Sequence, residues 1–292
     1  MRRLLIIGCG DIALRTLPIL HPRYRIYALT HSRARIPELR VRGVVPIAGD
    51  LDEPASLGTL AGLAQDVLHC APPPEGSQRD SRTAHLIAAL ARGKSLPQHM
   101  VYISTSGVYG DCGGGLVSET QPLRPATARA HRRADAERQL REWGRRSGAR
   151  ISILRTPGIY SGQRLPIDRL KCGTPALQPT EDAHTNHVHA DDLARMVVAA
   201  LWFGGAGRAY NASDDSQLKM GEYFDLVADR FGLPHPPRIS RAESERRIPP
   251  ALLSFMSESR RLTNQRIKRE LRLKLRYPTV HDGITAAPIR DD

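Results

Sequence analysis

The feature that most constrains the fold is a glycine-rich turn directly after an apolar run near the start of the chain. The run Leu4-Leu5-Ile6-Ile7 has the character of a buried strand, and Gly8-Cys9-Gly10-Asp11-Ile12-Ala13 follows it at once. The turn fits G-x-G-x-x-A, the alanine-ended form of the dinucleotide-binding fingerprint. Gly8 permits a sharp turn, Gly10 leaves room for a pyrophosphate, and Ala13 lets the next helix lie close to the sheet. We expect the first amides of that helix, at Asp11 and Ile12, to face the phosphates.

Strand and helix signals alternate through the first half of the chain. After the first strand, further strands are predicted at 25–30, 43–50, 66–71, 99–104 and 151–155, and helices at 81–92, 127–143, 190–203 and 220–231. This alternation predicts an α/β fold, a doubly wound parallel (Rossmann) sheet with a small C-terminal substrate lobe. We assign 1–160 to the dinucleotide-binding domain, with 186–213 returning to it, and 161–185 and 214–292 to the smaller lobe.

Composition narrows the class of protein. The net charge is +13, but only five of the 43 basic residues are lysine and the arginines are spread along the chain. Aromatic residues make up 5%, so stacking platforms for nucleic acid are scarce, and a nucleic-acid partner is not expected. The basic run at 260–276 is predicted to be a solvated helix face, with polyanion binding as the open alternative.

No segment suggests a membrane span, an export signal or a metal site. The apolar run near the start is far shorter than the ~18 residues of a membrane span or the core of a signal peptide. The four cysteines lie far apart and match no zinc pattern, so no metal is predicted. A reducing cytoplasm is the expected location.

The segment after the second strand bears on the choice of cofactor. NAD sites usually carry an acid about 20 residues beyond the glycines, but no acidic residue occurs between Asp11 and Glu38. The place is held by Thr30, Ser32 and Arg33. A hydroxyl and a guanidinium suit a 2′-phosphate, so NADP is favoured over NAD.

Two other strand ends supply cofactor candidates. Asp50 and Leu51 follow the third strand and could contact adenine, although Asp50 could equally cap the next helix. Ala71 ends the fourth strand and Pro72 follows it, and both are expected at the same edge of the sheet.

Four segments then match a known family in the expected order. They are Tyr102-Ile103-Ser104-Thr105-Ser106-Gly107-Val108-Tyr109-Gly110, Leu154-Arg155-Thr156-Pro157-Gly158-Ile159-Tyr160, Asn186-His187-Val188-His189-Ala190-Asp191-Asp192-Leu193-Ala194 and Tyr210-Asn211-Ala212-Ser213-Asp214. With the glycine turn, they resemble the extended short-chain dehydrogenase/reductase superfamily, of the NAD(P)-dependent epimerase/dehydratase type. The resemblance covers nearly the whole chain.

The resemblance implies roles for particular residues. It makes Thr105 the hydroxyl that holds a substrate oxygen, and it brings Ser104, Pro157, Gly158 and Ile159 to the cofactor.

The catalytic pair Tyr-x-x-x-Lys of the family falls on Arg129 and Arg133, counted back from Glu137. Arg133 could still bind the ribose or a phosphate. Arginine stays protonated near neutral pH, so Arg129 cannot replace a phenol as general acid.

Several side chains remain open as substitute acids. Tyr109 is the second catalytic candidate beside Thr105, and His131, His187 and His189 are weaker ones. We therefore expect an NAD(P)-binding, epimerase/dehydratase-like oxidoreductase that acts on a nucleotide-sugar or another small carbonyl or hydroxyl substrate. The alternative is a non-catalytic NADP(H)-binding sensor or assembly protein. A homodimer is left open.

Overall fold

Thirteen strands and ten helices occur in the computed structural model, which describes residues 1–249, 253 and 256–288. The strands are β1 (Arg2–Ile7), β2 (Tyr24–Thr30), β3 (Val45–Ala48), β4 (Asp66–His69), β5 (His99–Thr105), β6 (Leu116–Val117), β7 (Arg150–Thr156), β8 (Gly158–Tyr160), β9 (Ala176–Leu177), β10 (His187–His189), β11 (Arg208–Asn211), β12 (Arg238–Ile239) and β13 (Arg261–Leu262). The helices are α1 (Asp11–Leu20), α2 (Ile36–Val41), α3 (Ser81–Ala91), α4 (Ala128–Ser147), α5 (Ile167–Lys171), α6 (Ala190–Phe203), α7 (Met220–Phe231), α8 (Arg241–Arg247), α9 (Gln265–Glu270) and α10 (Val280–Thr285).

Seven parallel strands form the central sheet in the order β11-β7-β5-β4-β1-β2-β3. The chain runs outward from β1 to β2 and β3, and then returns to place β4 on the other side of β1. The order therefore reverses between β1 and β4. In open α/β sheets, ligands bind at the carboxyl end of the strands at this switch point.

Helices cover both faces of the sheet, and the central strands are therefore buried on both sides. On one face α1 and α6 pack together over apolar strand residues. On the other face α3 and α4 bury Leu86, Leu90, Leu140 and Trp143. The expected α/β, doubly wound parallel fold is confirmed.

A smaller lobe lies beside the carboxyl end of the sheet. Its core joins Tyr160 at the end of β8 to residues of α5, α7 and α10, among them Leu170, Phe224, Val227 and Ile284. The range assigned to the lobe, 214–292, includes 250–252, 254–255 and 289–292, which lie outside the described residues.

The basic run differs from its predicted form. It contains β13, which pairs with β6, and the short helix α9. Ile267, Leu271 and Leu275 are buried in the sheet core with residues of α1 and α6. The apolar residues between the arginines thus fix this segment to the sheet, whereas Arg269, Arg272, Lys274 and Arg276 are exposed.

The sequence patterns do not predict several of the short strands. β8 and β10 pair in parallel beside the main sheet, and β9 and β12 pair in the lobe. The third strand is shorter than the predicted 43–50. Within residues 1–249, 253 and 256–288, no helix has both the length and the apolar character needed to cross a bilayer.

Candidate functional site

The glycine turn lies at the switch point and uses its two glycines differently. Gly8 has a φ of +83°, and a Cβ placed there would stand 2.6 Å from the amide nitrogen of Ala71. Gly8 is therefore needed for the close approach of the chain leaving β1 to the chain leaving β4. Gly10 precedes α1 in extended conformation, and a Cβ there would meet no described atom within 4 Å. The space in front of Gly10 is open.

The first residues of α1 present backbone rather than side chains to that space. Ile12 and Ala13 are buried in the sheet core, so each can offer a ligand only its backbone. The Asp11 carboxylate accepts a hydrogen bond from Arg15 Nε at 2.8 Å. No side chain forms a cap hydrogen bond at the start of α1, although the Asp11 carboxylate lies in its first turn.

The segment after β2 contacts the glycine turn through an arginine that the sequence analysis did not select. Arg35 Nη1 donates to the carbonyl oxygen of Cys9 at 2.8 Å. Thr30 Oγ1 donates to the carbonyl oxygen of Ser32 at 3.2 Å, which shapes the turn. Arg33 is exposed at the start of a single 3-10 turn.

The cofactor-binding candidates that follow β3 and β4 differ in how far their side chains are exposed. Asp50 Oδ1 accepts a hydrogen bond from the amide of Asp52 at 2.9 Å, and the following 3-10 helix begins after Glu53. Asp50 therefore does not cap this helix, which was the alternative role predicted for it. The Leu51 side chain is buried in the core, whereas Pro72 is exposed.

A cavity of about 650 Å³ lies between the carboxyl end of the sheet and the lobe. It brings together many of the predicted residues, namely Ser104, Thr105, Arg129, Arg133, Pro157, Gly158, Ile159 and His187. Arg129 and Arg133 lie one turn apart on α4 and both line it. The lobe adds Arg169, His184, Tyr223 and Arg260, which the sequence analysis did not select as site residues.

Arg133 connects the cavity to the switch point. Its Nη1 donates to the carbonyl oxygen of Ile103 at 2.8 Å, to the Tyr102 hydroxyl at 3.0 Å and to the carbonyl oxygen of Ala71 at 3.4 Å. None of these three partners is a carboxylate. Burial lowers the pKa of the neighbouring Arg129 from its ordinary value.

The two hydroxyls at the end of β5 have different surroundings. Thr105 is half-buried at the cavity, and its Oγ1 accepts a hydrogen bond from the amide of Gly107 at 3.2 Å. A hydroxyl that accepts one bond can still donate its own proton to a substrate oxygen. Ser104 is buried and donates to Glu137 Oε1 at 2.7 Å, so its proton is already in use.

Tyr109 lies behind the cavity and does not line it. Its side chain is fully buried, and its hydroxyl donates to Asn211 Oδ1 at 2.7 Å and accepts from Arg155 Nη1 at 2.9 Å. Burial raises the pKa of Tyr109 to about 12. These contacts give Tyr109 a place in a buried polar network.

The three histidine candidates also lie in different surroundings. His187 lines the cavity, stacks on Tyr223 with ring centroids 4.1 Å apart, and is buried, which lowers its pKa to about 3. His189 accepts a hydrogen bond from the amide of Asp191 and so caps α6. His131 is half-buried on α4 and is not among the cavity residues.

Asp192 anchors the C-terminal segment to the start of α6. Its carboxylate accepts hydrogen bonds from the backbone amides of Arg276 and Tyr277 at 2.7 to 3.0 Å. This contact supports the fold. In the part of the chain that the structure describes, no group of histidine, cysteine and acidic side chains could hold a metal ion.

Comparison with known structures gives the same fold. A functionally unknown conserved protein from Silicibacter pomeroyi DSS is 28% identical, with a TM-score of 0.81 and 98% of each chain covered. UDP-glucose 4-epimerase from Thermotoga maritima, solved with UDP-glucose, is 16% identical with a TM-score of 0.77, over 98% of this chain and 97% of that one. UDP-glucuronic acid 4-epimerase from Bacillus cereus, in complex with NAD, is 19% identical with a TM-score of 0.75, over 98% and 95%.

No curated protein matches the sequence. The NAD dependent epimerase/dehydratase family matches residues 19–213, which contain β2 to β11 and most of the residues that the sheet contributes to the cavity. The match begins after the glycine turn, so the turn is assigned from its own geometry. On this match, the chain belongs to the NAD-dependent epimerase/dehydratase family.

Proposed function

We propose that the protein is an NAD(P)-dependent oxidoreductase of the epimerase/dehydratase class. Its substrate would be a nucleotide-sugar or another small molecule with a carbonyl or hydroxyl group, bound in the cavity next to the nicotinamide. The observation that carries this proposal is the open space at Gly10, in front of an uncapped helix start, with Arg133 of the cavity wall donating to the carbonyl oxygen of Ala71, whose backbone approaches Gly8.

The described residues fit a dinucleotide. The amides at the start of α1 would bind the pyrophosphate, and Arg133 would bind the ribose or a phosphate. The bound nicotinamide would supply hydride transfer. Thr105 would orient the reacting oxygen, since its hydroxyl accepts a hydrogen bond from Gly107 and donates none to another described residue.

The preference for NADP is a finer proposal. Arg33 is exposed and lies two residues before Arg35, which contacts the Cys9 carbonyl oxygen. Two guanidinium groups here would favour a 2′-phosphate, because a charge-assisted hydrogen bond to an anion is stronger than a neutral one.

A substitution at Gly10 tests cofactor binding. In Gly10→Val the side chain would fill the space meant for the pyrophosphate, so NADPH and NADH should each bind at least about tenfold more weakly, by fluorescence titration. The variant should still fold, because a Cβ at this position meets no described atom within 4 Å. Gly58→Val is the matched control, since a Cβ at Gly58 also meets no described atom within 4 Å and Gly58 does not line the cavity. Absence of binding by the unmodified protein, or equal binding by Gly10→Val, would refute the proposal.

Arg33→Ala tests the cofactor preference. The affinity for NADPH should fall about tenfold while that for NADH stays the same, because only NADPH carries the 2′-phosphate. Arg40→Ala, an exposed arginine on α2, serves as the control. Equal losses for the two cofactors would contradict the preference for NADP.

A second function is a non-catalytic NADP(H)-binding sensor or assembly protein. The arginine at 129 supports it, because a guanidinium cannot exchange a proton near pH 7. The two functions differ in turnover. Oxidation of NADPH with a panel of nucleotide-sugars and small carbonyl compounds supports the enzyme, whereas cofactor binding without oxidation supports the sensor.

A further inference from the structure

Arg82, in the first turn of α3, joins the loops that follow β3 and β4. Its Nε and Nη2 donate to Asp52 Oδ1 and Oδ2 at 2.8 and 2.6 Å, and its Nη1 donates to the carbonyl oxygen of Pro72 at 3.1 Å. Asp52 follows β3 and Pro72 follows β4. Three hydrogen bonds therefore fix one guanidinium between two loops at the carboxyl end of the sheet.

The two loops belong to strands that are not neighbours. In the order of the sheet, β1 and β2 lie between β4 and β3. Since adjacent strands are about 4.8 Å apart, the carboxyl ends of β3 and β4 are about 14 Å apart. The ends of β1 and β2, at Ile7 and Thr30, lie in this interval. The Arg82–Asp52 pair thus links the two sides of the crevice that begins at the glycine turn.

A second contact holds α3 to the loop after β3. His85, one turn beyond Arg82, has its Nδ1 2.7 Å from the carbonyl oxygen of Leu51. The hydrogen bonds from Arg82 lower the pKa of Asp52, and the nearby His85 and His31 act in the same direction. His31 belongs to the loop after β2, so the loops after β2, β3 and β4 all approach this ion pair.

The ion pair has the form of a flat plate. A guanidinium and a carboxylate that share two parallel hydrogen bonds lie close to one plane, and the third bond to Pro72 fixes that plane to the sheet edge. The Arg82 side chain is 27% exposed and that of Asp52 is 47% exposed, so the plate is open at the rim of the crevice. Arginine stacks on aromatic rings, nucleic-acid bases among them, through the face of its guanidinium.

We propose that the Arg82–Asp52 pair is a platform on which the adenine of the cofactor stacks, and that it determines how tightly the adenosine half is bound. The inference rests on the proposed function only in taking the ligand to be a dinucleotide. The glycine turn would then hold the pyrophosphate and α3 would hold the base. Asp50, which the sequence analysis selected for contact with adenine, lies in the same loop as Asp52.

Calorimetric titration of the full chain with NADPH, NADH and ADP-ribose tests the platform. ADP-ribose carries the adenosine and the pyrophosphate but no nicotinamide. In Arg82→Gln the platform is lost, and we expect each of the three ligands to bind about tenfold more weakly. The loss should be equal for NADPH and NADH, because both carry the same base.

Further variants separate stacking from charge. Arg82→Lys keeps the charge without the planar fork, so it should lose as much affinity as Arg82→Gln. The double variant Arg82→Gln/Asp52→Ala should lose little more than Arg82→Gln alone, because the two side chains act as a unit. Arg92→Gln is the matched control, since Arg92 is an exposed arginine at the other end of α3. The pair is exposed, so all variants should unfold at about the temperature of the unmodified protein.

Three results would overturn the inference. They are an unmodified protein that does not bind ADP-ribose, an Arg82→Gln variant that binds it equally well, and a loss confined to NADPH, which would assign Arg82 to the 2′-phosphate. Failure of the proposed function is a separate result. A protein that binds NADPH and ADP-ribose through Arg82, but oxidises NADPH with no member of the substrate panel, would keep the platform and lose the oxidoreductase.

Discussion

The Arg155 guanidinium and the Glu137 carboxylate form a buried ion pair behind the cavity, 2.8 Å apart between Nη2 and Oε2. Ser104 and Tyr109 complete their hydrogen bonds. Arg155→Met would remove the hydrogen-bonded counter-ion of the buried carboxylate and leave it with the more distant Arg141, whose Nη2 lies 3.9 Å from Glu137 Oε2. We expect the free energy of unfolding, measured with denaturant, to fall by about 3–5 kcal/mol.

The control for this pair is Arg247→Met on α8, in which the lost ion pair with Glu243 is exposed to solvent on both sides. Exposed pairs contribute at most about 1 kcal/mol, so the control should remain near the unmodified protein. If the two variants lose the same free energy of unfolding, burial does not make the Arg155–Glu137 pair more stabilising than an exposed pair.

Gly8 should be more sensitive to a methyl group than Gly10, although both belong to one motif. In Gly8→Ala the new Cβ would meet the amide of Ala71 and the positive φ would be strained, at a cost of about 1–3 kcal/mol in unfolding free energy. Gly10→Ala has neither problem and should change stability by less than about 0.5 kcal/mol. Thermal unfolding of the two variants checks this order, and similar stabilities would contradict it.

Among the secondary-structure elements, α9 links a charged surface to the sheet core. Ile267 is fully buried, whereas Arg269 is exposed on the same helix. Ile267→Ala should lower the unfolding free energy by about 2–5 kcal/mol, as in other cores, while Arg269→Ala should leave it within about 0.5 kcal/mol. A tolerated Ile267→Ala in a denaturant titration would mean that α9 does not hold the C-terminal segment in place.

The long elements could be predicted from the sequence because each carries its own pattern. The apolar run of β1, the spacing of Ala136, Leu140 and Trp143 on α4, and the apolar residues of β7 are local signals. β8 and β10 are three residues each and depend on pairing with each other, so no local period marks them.

The same contrast holds in the candidate site. Gly8, Gly10 and Thr105 belong to motifs with fixed spacing and could be selected from the sequence. Arg169 could not, because it is one of many arginines and lies in a segment without periodicity. Only the burial of its Nε and its stacking on Phe224 distinguish it from the others.

For the molecule as a whole, buried titratable groups predict how stability depends on pH. Burial lowers the pKa of His69 to about 3, of His99 to about 4 and of His187 to about 3. Below about pH 6.5 the unfolded chain takes up protons at these histidines and the folded chain does not. Each should therefore remove up to about 1.4 kcal/mol per pH unit as the pH falls from 6.5 toward 4.

Asp214 has the opposite effect on the pH dependence of stability. Burial raises its pKa to about 8, so the folded state retains a proton that the unfolded state loses above about pH 4. Its contribution to stability falls as the pH rises from 4 to 8. The three histidines dominate on the acid side, and we expect a maximum of stability near pH 6.5.

Denaturant titrations between pH 5 and 8.5 check the position of that maximum. In Asp214→Asn, the decline between pH 6.5 and 8 should become shallower, while the acid side should keep its slope. A variant whose profile above pH 6.5 matches that of the unmodified protein would contradict the assignment to Asp214.

The order of strands in the sheet has a consequence for synthesis on the ribosome. Six of the seven strands lie within residues 2–156. The seventh is β11 at Arg208–Asn211, and the helix α9, which packs against it, comes later still in the chain. A growing chain that has emerged as far as β7 still exposes the free edge of that strand. It must wait for more than fifty further residues before the edge is paired, and during that interval it is open to association with other chains.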